Sequence, residues 1–353
     1  MTIGDGSGSG TVVVVSWDVM NRSEIIRQLA CDNPAELFAE ADRVRQQYVG
    51  SAVHLRGLVE FSNTCGRDCL YCGIRRSNKE VSRYSLGVDE IFATVRGARD
   101  LGYKSVVLQS GENCGYPLAA MCELLRRIKA ELQVAVTLSI GEKSREEYAA
   151  LREAGADRYL LRFETSSREV FARLKPDSVY DGRMRCLQWL RELDYQVGSG
   201  IMVGLPGQTL ETIADDILLM QALELDMIGI GPFIADPRTP LKDAPSGTLD
   251  LTLRTLALIR IVTRNTHLPA TTAMGSIDPQ GRQKALRAGA NVLMPNVTPT
   301  MYREHYQLYP NKICIQDKPG DCALCIAGMV AALGRTLADD AGHSLKDPSR
   351  FRA

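Results

Sequence analysis

Asp89-Glu-Ile-Phe-Ala-Thr-Val-Arg-Gly-Ala-Arg-Asp-Leu101 is followed, after three residues, by Ser105-Val-Val-Leu-Gln109, and the order of these two stretches decides the fold class. The first carries Ile91, Phe92, Val95 and Ala98 at helical spacing, and the second is a short β-like run. The alternation recurs on both sides. Further β-like runs are Val53 to Phe61, Val134 to Ser139, Arg158 to Phe163, Val197 to Val203, Met227 to Ile230, Ala270 to Thr272 and Val292 to Met294, separated by helical stretches such as Leu210 to Leu223. Strands alternating with helices predict parallel βαβ units, and eight of them between residues 53 and 295 match the roughly 250 residues of a complete (β/α)8 TIM-type barrel of the α/β class. Gly155-Ala-Asp157 and Gly289-Ala-Asn291 read as helix-to-strand turns. Upstream, Ser23 is expected to cap a helix running past Leu29, and Asn33 or Pro34 to open a second that reaches Tyr48. Gly4, Gly6, Gly8 and Gly10 read as a flexible tail. With no Pro/Gly/Ser-rich linker inside the pattern, residues 1–52 form a tail with helices, 53–298 the barrel, and 299–353 a C-terminal appendage bearing cysteines.

The 353 residues carry 42 basic and 42 acidic side chains for a net charge of zero, and 45% are apolar, so the chain can bury a full-sized core. No basic run is longer than a pair such as Arg75-Arg76, which excludes a phosphate-wrapping surface, and no nucleic-acid partner is expected. Val12 to Val15 with Trp17 falls far short of the roughly 20 apolar residues that span a bilayer, so no membrane is expected and a cytoplasmic location is. The ten cysteines are too few for a disulfide scaffold, yet Cys65, Cys69 and Cys72 sit within eight residues and Cys314, Cys322 and Cys325 within twelve. Clustered thiols in such a chain more often hold metal.

In such a barrel, chemistry collects at the carboxyl ends of strands. Cys65 follows the first strand; Gln109-Ser-Gly-Glu112 ends the second; Thr137-Leu-Ser139 and then Glu142 end the third. On the fourth, period-2 geometry puts Arg158, Leu160, Arg162 and Glu164 on the lumen face and Tyr159, Leu161 and Phe163 outside. Buried charges need partners, either a charged ligand or an internal lattice of salt bridges. The run Cys65-Gly-Arg-Asp-Cys69-Leu-Tyr-Cys72 offers three thiolates where an iron-sulfur cluster normally takes four, leaving one iron open to a further ligand. A zinc knuckle would want a fourth ligand, and the nearest histidine, His54, lies at the other end of the strand.

Cys-x3-Cys-x2-Cys with Tyr71 before the last cysteine resembles the signature of the radical S-adenosylmethionine (SAM) superfamily. Ser110-Gly-Glu112 and Gly200-Ile-Met-Val-Gly204-Leu-Pro-Gly207 resemble two further motifs of that superfamily, with Ser and Gly where many members have Gly and Glu. Longer matches, including Leu70-Tyr-Cys-Gly-Ile-Arg-Arg76, Val107-Leu-Gln-Ser-Gly-Glu112, Met202-Val-Gly-Leu-Pro-Gly-Gln-Thr209 and Tyr306-Gln-Leu-Tyr-Pro310, resemble the HydE family of FeFe-hydrogenase maturases, relatives of biotin synthase and methylornithine synthase. This resemblance implies a 4Fe-4S cluster whose open iron is chelated by SAM, and reductive cleavage of SAM to a 5'-deoxyadenosyl radical. It implies an iron-carbonyl-cyanide cysteine complex, or another organometallic or amino-acid-like molecule, as substrate. Flavodoxin or ferredoxin is implied as electron donor, and companion hydrogenase maturases as partners. By position, SAM contacts fall on Glu112, Glu164 and Arg183, with Tyr71 and Gln109 beside them, and the inner cavity on Arg158, Thr137, Thr271, Thr272, Tyr306 and Met227. Cys314, Cys322 and Cys325 resemble the auxiliary cluster site of some such maturases, implying a second iron-sulfur cluster.

Several readings of the residues stay open. Thr271 and Thr272 point to opposite faces of a regular strand, so one lines the cavity; Tyr306 and Tyr309 sit three apart on a helix after strand eight, where packing is the ordinary role; His305 and His343 belong at the surface. A biotin synthase-like enzyme would ligate its second cluster inside the barrel, whereas Cys114, Cys122 and Cys186 fall in a loop or helices. A methylornithine synthase-like enzyme is another alternative, and a non-catalytic iron-sulfur carrier or scaffold, indifferent to SAM, is one of another class.

Overall fold

The computed structural model describes residues 20–347, so the glycine-rich opening and Val12 to Val15 lie outside the described residues. Nine strands occur among the described residues: β1 (Ala52–Leu55), β2 (Gly57–Ser62), β3 (Ser105–Ser110), β4 (Ala135–Ser139), β5 (Arg158–Leu160), β6 (Gln196–Val203), β7 (Met227–Pro232), β8 (Val292–Leu293) and β9 (Thr336–Leu337). Strands β2 to β7 form one parallel six-stranded sheet in sequence order. Helices Val88–Asp100, Leu118–Glu131, Arg145–Glu153, Tyr180–Glu192 and Leu210–Ala222 lie in the five connections, the arrangement that parallel neighbours require. The first buries Ile91, Phe92, Val95 and Ala98, the stripe legible in its sequence. Arg145–Glu153 is started by a capping box between Ser144 and Glu147. Gly155 and Gly289 make the expected turns with φ of +113° and +111°.

The expected barrel is met in part. The first expected strand is split at Arg56, because its two halves have different partners: His54 and Leu55 pair with β8, Ala52 and Val53 with β9, and Gly57 onward with β3. The seventh is not a strand. Single bridges join Met227 to His267 and Pro269 to Val292, and Thr272 already opens the helix Thr272–Ile277. Another single bridge joins Leu58 to Asn296, so pairing between β7 and β2 passes through isolated bridges, and no closed eight-stranded sheet forms among the described residues.

Upstream, Arg22–Ala30 starts earlier than expected, with Asn21 rather than Ser23 as its cap, accepting from the Glu24 N–H at 3.0 Å; Ala35–Val49 is the second helix. Downstream, the chain returns beneath the amino ends of the strands. The Ala338 N–H bonds Val53 O, Gln196 Nε2 lies 2.8 Å from His343 Nδ1, and Ser344 bonds Asp226. His343 is exposed, as expected, although its ring is engaged. No helix among the described residues is long and apolar enough to cross a membrane.

Candidate functional site

The loop that follows β2 is held by contacts all along its length. The Gly66 N–H bonds Glu112 O at 2.7 Å, Leu70 N bonds Leu174 O at 2.9 Å and Gly73 N bonds Leu308 O at 2.9 Å, which ties the loop to the segments after β3, after β5 and after β8. Arg83 donates to four carbonyls, those of Asn63, Ile74, Arg75 and Asn78. Within this frame Cys65, Cys69 and Cys72 all line one cavity of about 350 Å³. Burial pushes each thiol up, and the nearby Cys69 and Cys65 push Cys72 further. Three apolar-lying thiols crowded at one wall suit a cationic group that would hold them as thiolates.

Beside the cysteine loop, four charges form a square. Arg67 meets Glu112 at 2.6 Å and Glu142 at 2.7 Å; Arg183 meets the same two at 3.0 and 2.8 Å. Burial works to raise the Glu112 carboxyl, but Arg183, Lys175 and Arg67 outweigh it and hold the pKa down at about 2. Glu112 is where it is because Gly111 precedes it: a Cβ there would stand 2.2 Å from Thr64 O and 2.7 Å from Cys65 Cβ. Opposite, Gly141 has φ of +80° and its missing Cβ leaves room for the Glu112 side chain, 2.0 Å away.

Deeper in, Glu164 adopts φ of +69°, unusual for a non-glycine residue, and carries its carboxylate to 3.1 Å from Arg162. Glu164 Oε2 is thus ion-paired to Arg162 Nη2, and both residues line the cavity. The buried Thr137 Oγ1 is unbonded. Tyr306 is buried, its hydroxyl accepting from Gln109 Nε2 at 3.2 Å.

Most residues named from the sequence therefore meet. Glu112, Glu164, Arg183, Tyr71, Gln109, Thr137, Thr271, Thr272, Tyr306 and Met227 line the same cavity as the three thiols. Both threonines do so because no regular strand runs through them; Thr271 bonds Ile230 O at 3.0 Å and Thr272 begins a helix. Tyr306 and Tyr309 lie beyond the short helix Thr300–Arg303, in a loop and not on a helix, and both reach the cavity. Arg158 is the correction. It starts β5, at the amino end of the sheet, and its guanidinium is committed to Ser105, Gln196 and the carbonyls of Ala341 and Gly342, outside the lining of the cavity. Arg56 lines the floor in its place, bonding Met227 Sδ at 2.6 Å and Gly342 O at 3.2 Å, with no acidic partner among the described residues.

Cys314, Cys322 and Cys325 do not line it. Helix Pro319–Ala332 carries Cys322, buried and hydrogen-bonded to Cys314, and Cys325, exposed. Cys114, Cys122 and Cys186 also stay outside the lining. Sequence reasoning missed Arg67, the Glu142 ion pairs, Arg56, Glu60 and Lys312; only the position of Glu142 after the third strand hinted at any of them. Among the described residues no three His, Cys, Asp or Glu side chains converge as ligands of one metal ion do. A cubane does not need that, since each thiolate binds a different iron.

Comparison with known proteins agrees with this chemistry. Residues 59–220 match the Radical SAM superfamily. The chain is 49% identical over 306 residues to the FeFe-hydrogenase maturase subunit HydE of Thermotoga maritima, covering 87% of this chain and 88% of that one. It is 27% identical over 260 residues to 3-methylornithine synthase of Methanosarcina acetivorans, covering 73% of each. The crystal structure of methylornithine synthase superposes with a TM-score of 0.80 over 90% of this chain and 94% of that one, at 23% identity, which speaks for the fold alone. With three thiols, paired Glu112 and Arg183 and Glu164 around one cavity, the chain belongs to the Radical SAM superfamily and, within it, to the HydE family of FeFe-hydrogenase maturases.

Proposed function

We propose that this radical SAM maturase acts on an iron-carbonyl-cyanide cysteine complex during assembly of the FeFe-hydrogenase diiron site, with the bridged segments completing a (β/α)8 ring around the substrate. The observation that carries the reading is one cavity lined at one end by three thiols and at the other by Arg56, a buried guanidinium without an acidic partner among the described residues. An uncompensated buried cation suits an anionic metal complex.

Cys65, Cys69 and Cys72 would hold a 4Fe-4S cluster, which when bound supplies the electron that cleaves SAM to methionine and a 5'-deoxyadenosyl radical. The chain's own groups do the rest. Tyr71 hydrogen-bonds Cys69 and packs the loop against the apolar cluster of Val170, Leu174, Leu205 and Phe233. Glu164, held in the lining by Arg162, accepts hydrogen bonds from SAM through its remaining lone pairs; Arg183 and Glu112, locked in the square, present a fixed charge pattern to its amino-acid end. Thr137, Thr271 and Thr272 offer hydroxyls toward the middle of the cavity, and Tyr306 closes the wall beside Gln109. A low-potential reductant such as flavodoxin or ferredoxin, companion maturases and a cytoplasmic setting complete the proposal. Incubation of the reconstituted, reduced protein with SAM and the synthetic iron complex tests it: consumption of the complex only when SAM is cleaved is expected, and SAM cleavage with the complex untouched would assign another substrate.

A second reading, a biotin synthase-like enzyme with a sacrificial cluster, loses support because Cys65, Cys69 and Cys72 are the only cysteines lining the cavity among the described residues.

A further inference from the structure

Glu60 and Lys312 take no part in the site so far. Glu60 lies on β2 opposite Gln109 of β3, is 1% exposed, accepts from Lys312 Nζ through Oε1 and from Asn296 Nδ2 at 2.8 Å through Oε2. Lys312 Nζ also donates to Tyr306 O at 3.1 Å and stands 5.2 Å from the centroid of the Tyr306 ring. Both side chains line the cavity. Two charges removed from water cost several kcal/mol each, and a buried ion pair is often replaceable by apolar side chains without loss of stability. A role in folding alone therefore explains this pair poorly. Glu60 and Lys312 belong neither to the square of Arg67, Arg183, Glu112 and Glu142 nor to the Arg162–Glu164 pair, and stand on the wall of β2, β3 and Tyr306.

We infer that Glu60 and Lys312 recognise the α-ammonium and α-carboxylate of an amino-acid group on the substrate. Placed side by side in the lining, they are the charge inverse of a zwitterion. A zwitterion laid along them in the opposite sense closes a ring of four alternating charges. Lys312 keeps a third N–H beyond its two contacts, and both Glu60 oxygens keep a lone pair, so the ligand adds without breaking the pair. The inference rests on the proposal that the cavity takes an amino-acid-bearing substrate, and it names the end of that substrate which this wall holds.

The test uses the full chain, anaerobically reconstituted and saturated with SAM, and three probes: S-methyl-L-cysteine, its methyl ester and its N-acetyl derivative. Titration calorimetry should show the free amino acid binding about tenfold tighter than either blocked form, the value of one charged hydrogen bond. Lys312→Met should erase the preference over the ester, and Glu60→Gln the preference over the N-acetyl form. If the parent protein binds all three alike, or none, the inference is overturned, whether or not the variants fold. It is also overturned if folded variants keep both preferences. Parent protein that shows the preferences yet does not cleave SAM on reduction would leave this site standing and remove the radical SAM chemistry instead.

Discussion

Two groups of three cysteines occupy this chain, and the structure treats them differently. Cys65, Cys69 and Cys72 lie on one loop that hydrogen bonds tie to three other segments, and all three face a cavity already furnished with paired charges. Cys314 is in a loop with φ of +62°, Cys322 and Cys325 are on the helix Pro319–Ala332, one buried and one exposed, and none faces the cavity. Equal numbers of thiols thus carry different prospects. What sets them apart is not ligand count but whether the open side of a cluster would look onto groups that can recognise a second molecule. The segment of the second group is nonetheless less remote than its sequence position suggests, since Lys312, two residues before Cys314, reaches the cavity.

The contrast breaks first if the thiols of the first group prove dispensable. Cys69→Ala should abolish 5'-deoxyadenosine release after reduction with SAM, a loss of the whole signal; release at the parent rate would assign the cluster elsewhere. Next in size is Arg183→Ala. It leaves Glu112 and Glu142 short of one buried cation, so stability should fall by about 3–5 kcal/mol in denaturant titrations and SAM affinity should drop. Unchanged affinity for SAM in the folded variant would remove Arg183 from the binding site. A smaller effect belongs to Glu112, whose carboxyl is held at about 2 by its arginine neighbours. A depressed carboxyl adds stability above its unfolded pKa and loses it as pH falls toward 2, so the melting-temperature gap between the parent chain and Glu112→Gln should be full at pH 7 and shrink below about pH 4.5. A gap independent of pH would deny the charge pairing. Smallest is the effect on cleavage of changing Cys314, Cys322 and Cys325 together to Ser. Bound iron should fall by roughly half if both groups hold 4Fe-4S clusters, while SAM cleavage with a chemical reductant largely survives. Loss of cleavage in a folded variant that keeps its first cluster would erase the distinction drawn between the two groups.

Which parts were legible follows from which signals are local. The three thiols stand within eight residues, so their spacing carries the loop with it, and Glu112, Gln109 and Thr137 sit at strand ends that alternation alone marks. Arg158 shows where alternation stops informing: period two says which face a side chain takes, but not whether it lies at the carboxyl or the amino end of the sheet, and Arg158 begins its strand. The expectation that only one of Thr271 and Thr272 lines the cavity fails for a related reason: a single bridge at Pro269 stands where a strand is expected, and Thr272 opens a helix. The square of Arg67, Arg183, Glu112 and Glu142 and the pair Glu60–Lys312 join residues from distant loops and strands, and only the closing of the fold brings them within bonding distance.

Electron paramagnetic resonance of the reduced, anaerobically reconstituted protein, recorded with and without SAM, bears most directly on the role given to Cys65, Cys69 and Cys72. A 4Fe-4S signal whose g-values shift on adding SAM, and which is lost in Cys69→Ala even where a SAM-insensitive signal from the second cysteine group remains, is the expected result. Absence of any SAM-sensitive signal, or a SAM-sensitive signal that persists unaltered in Cys69→Ala, would contradict an open iron at this site.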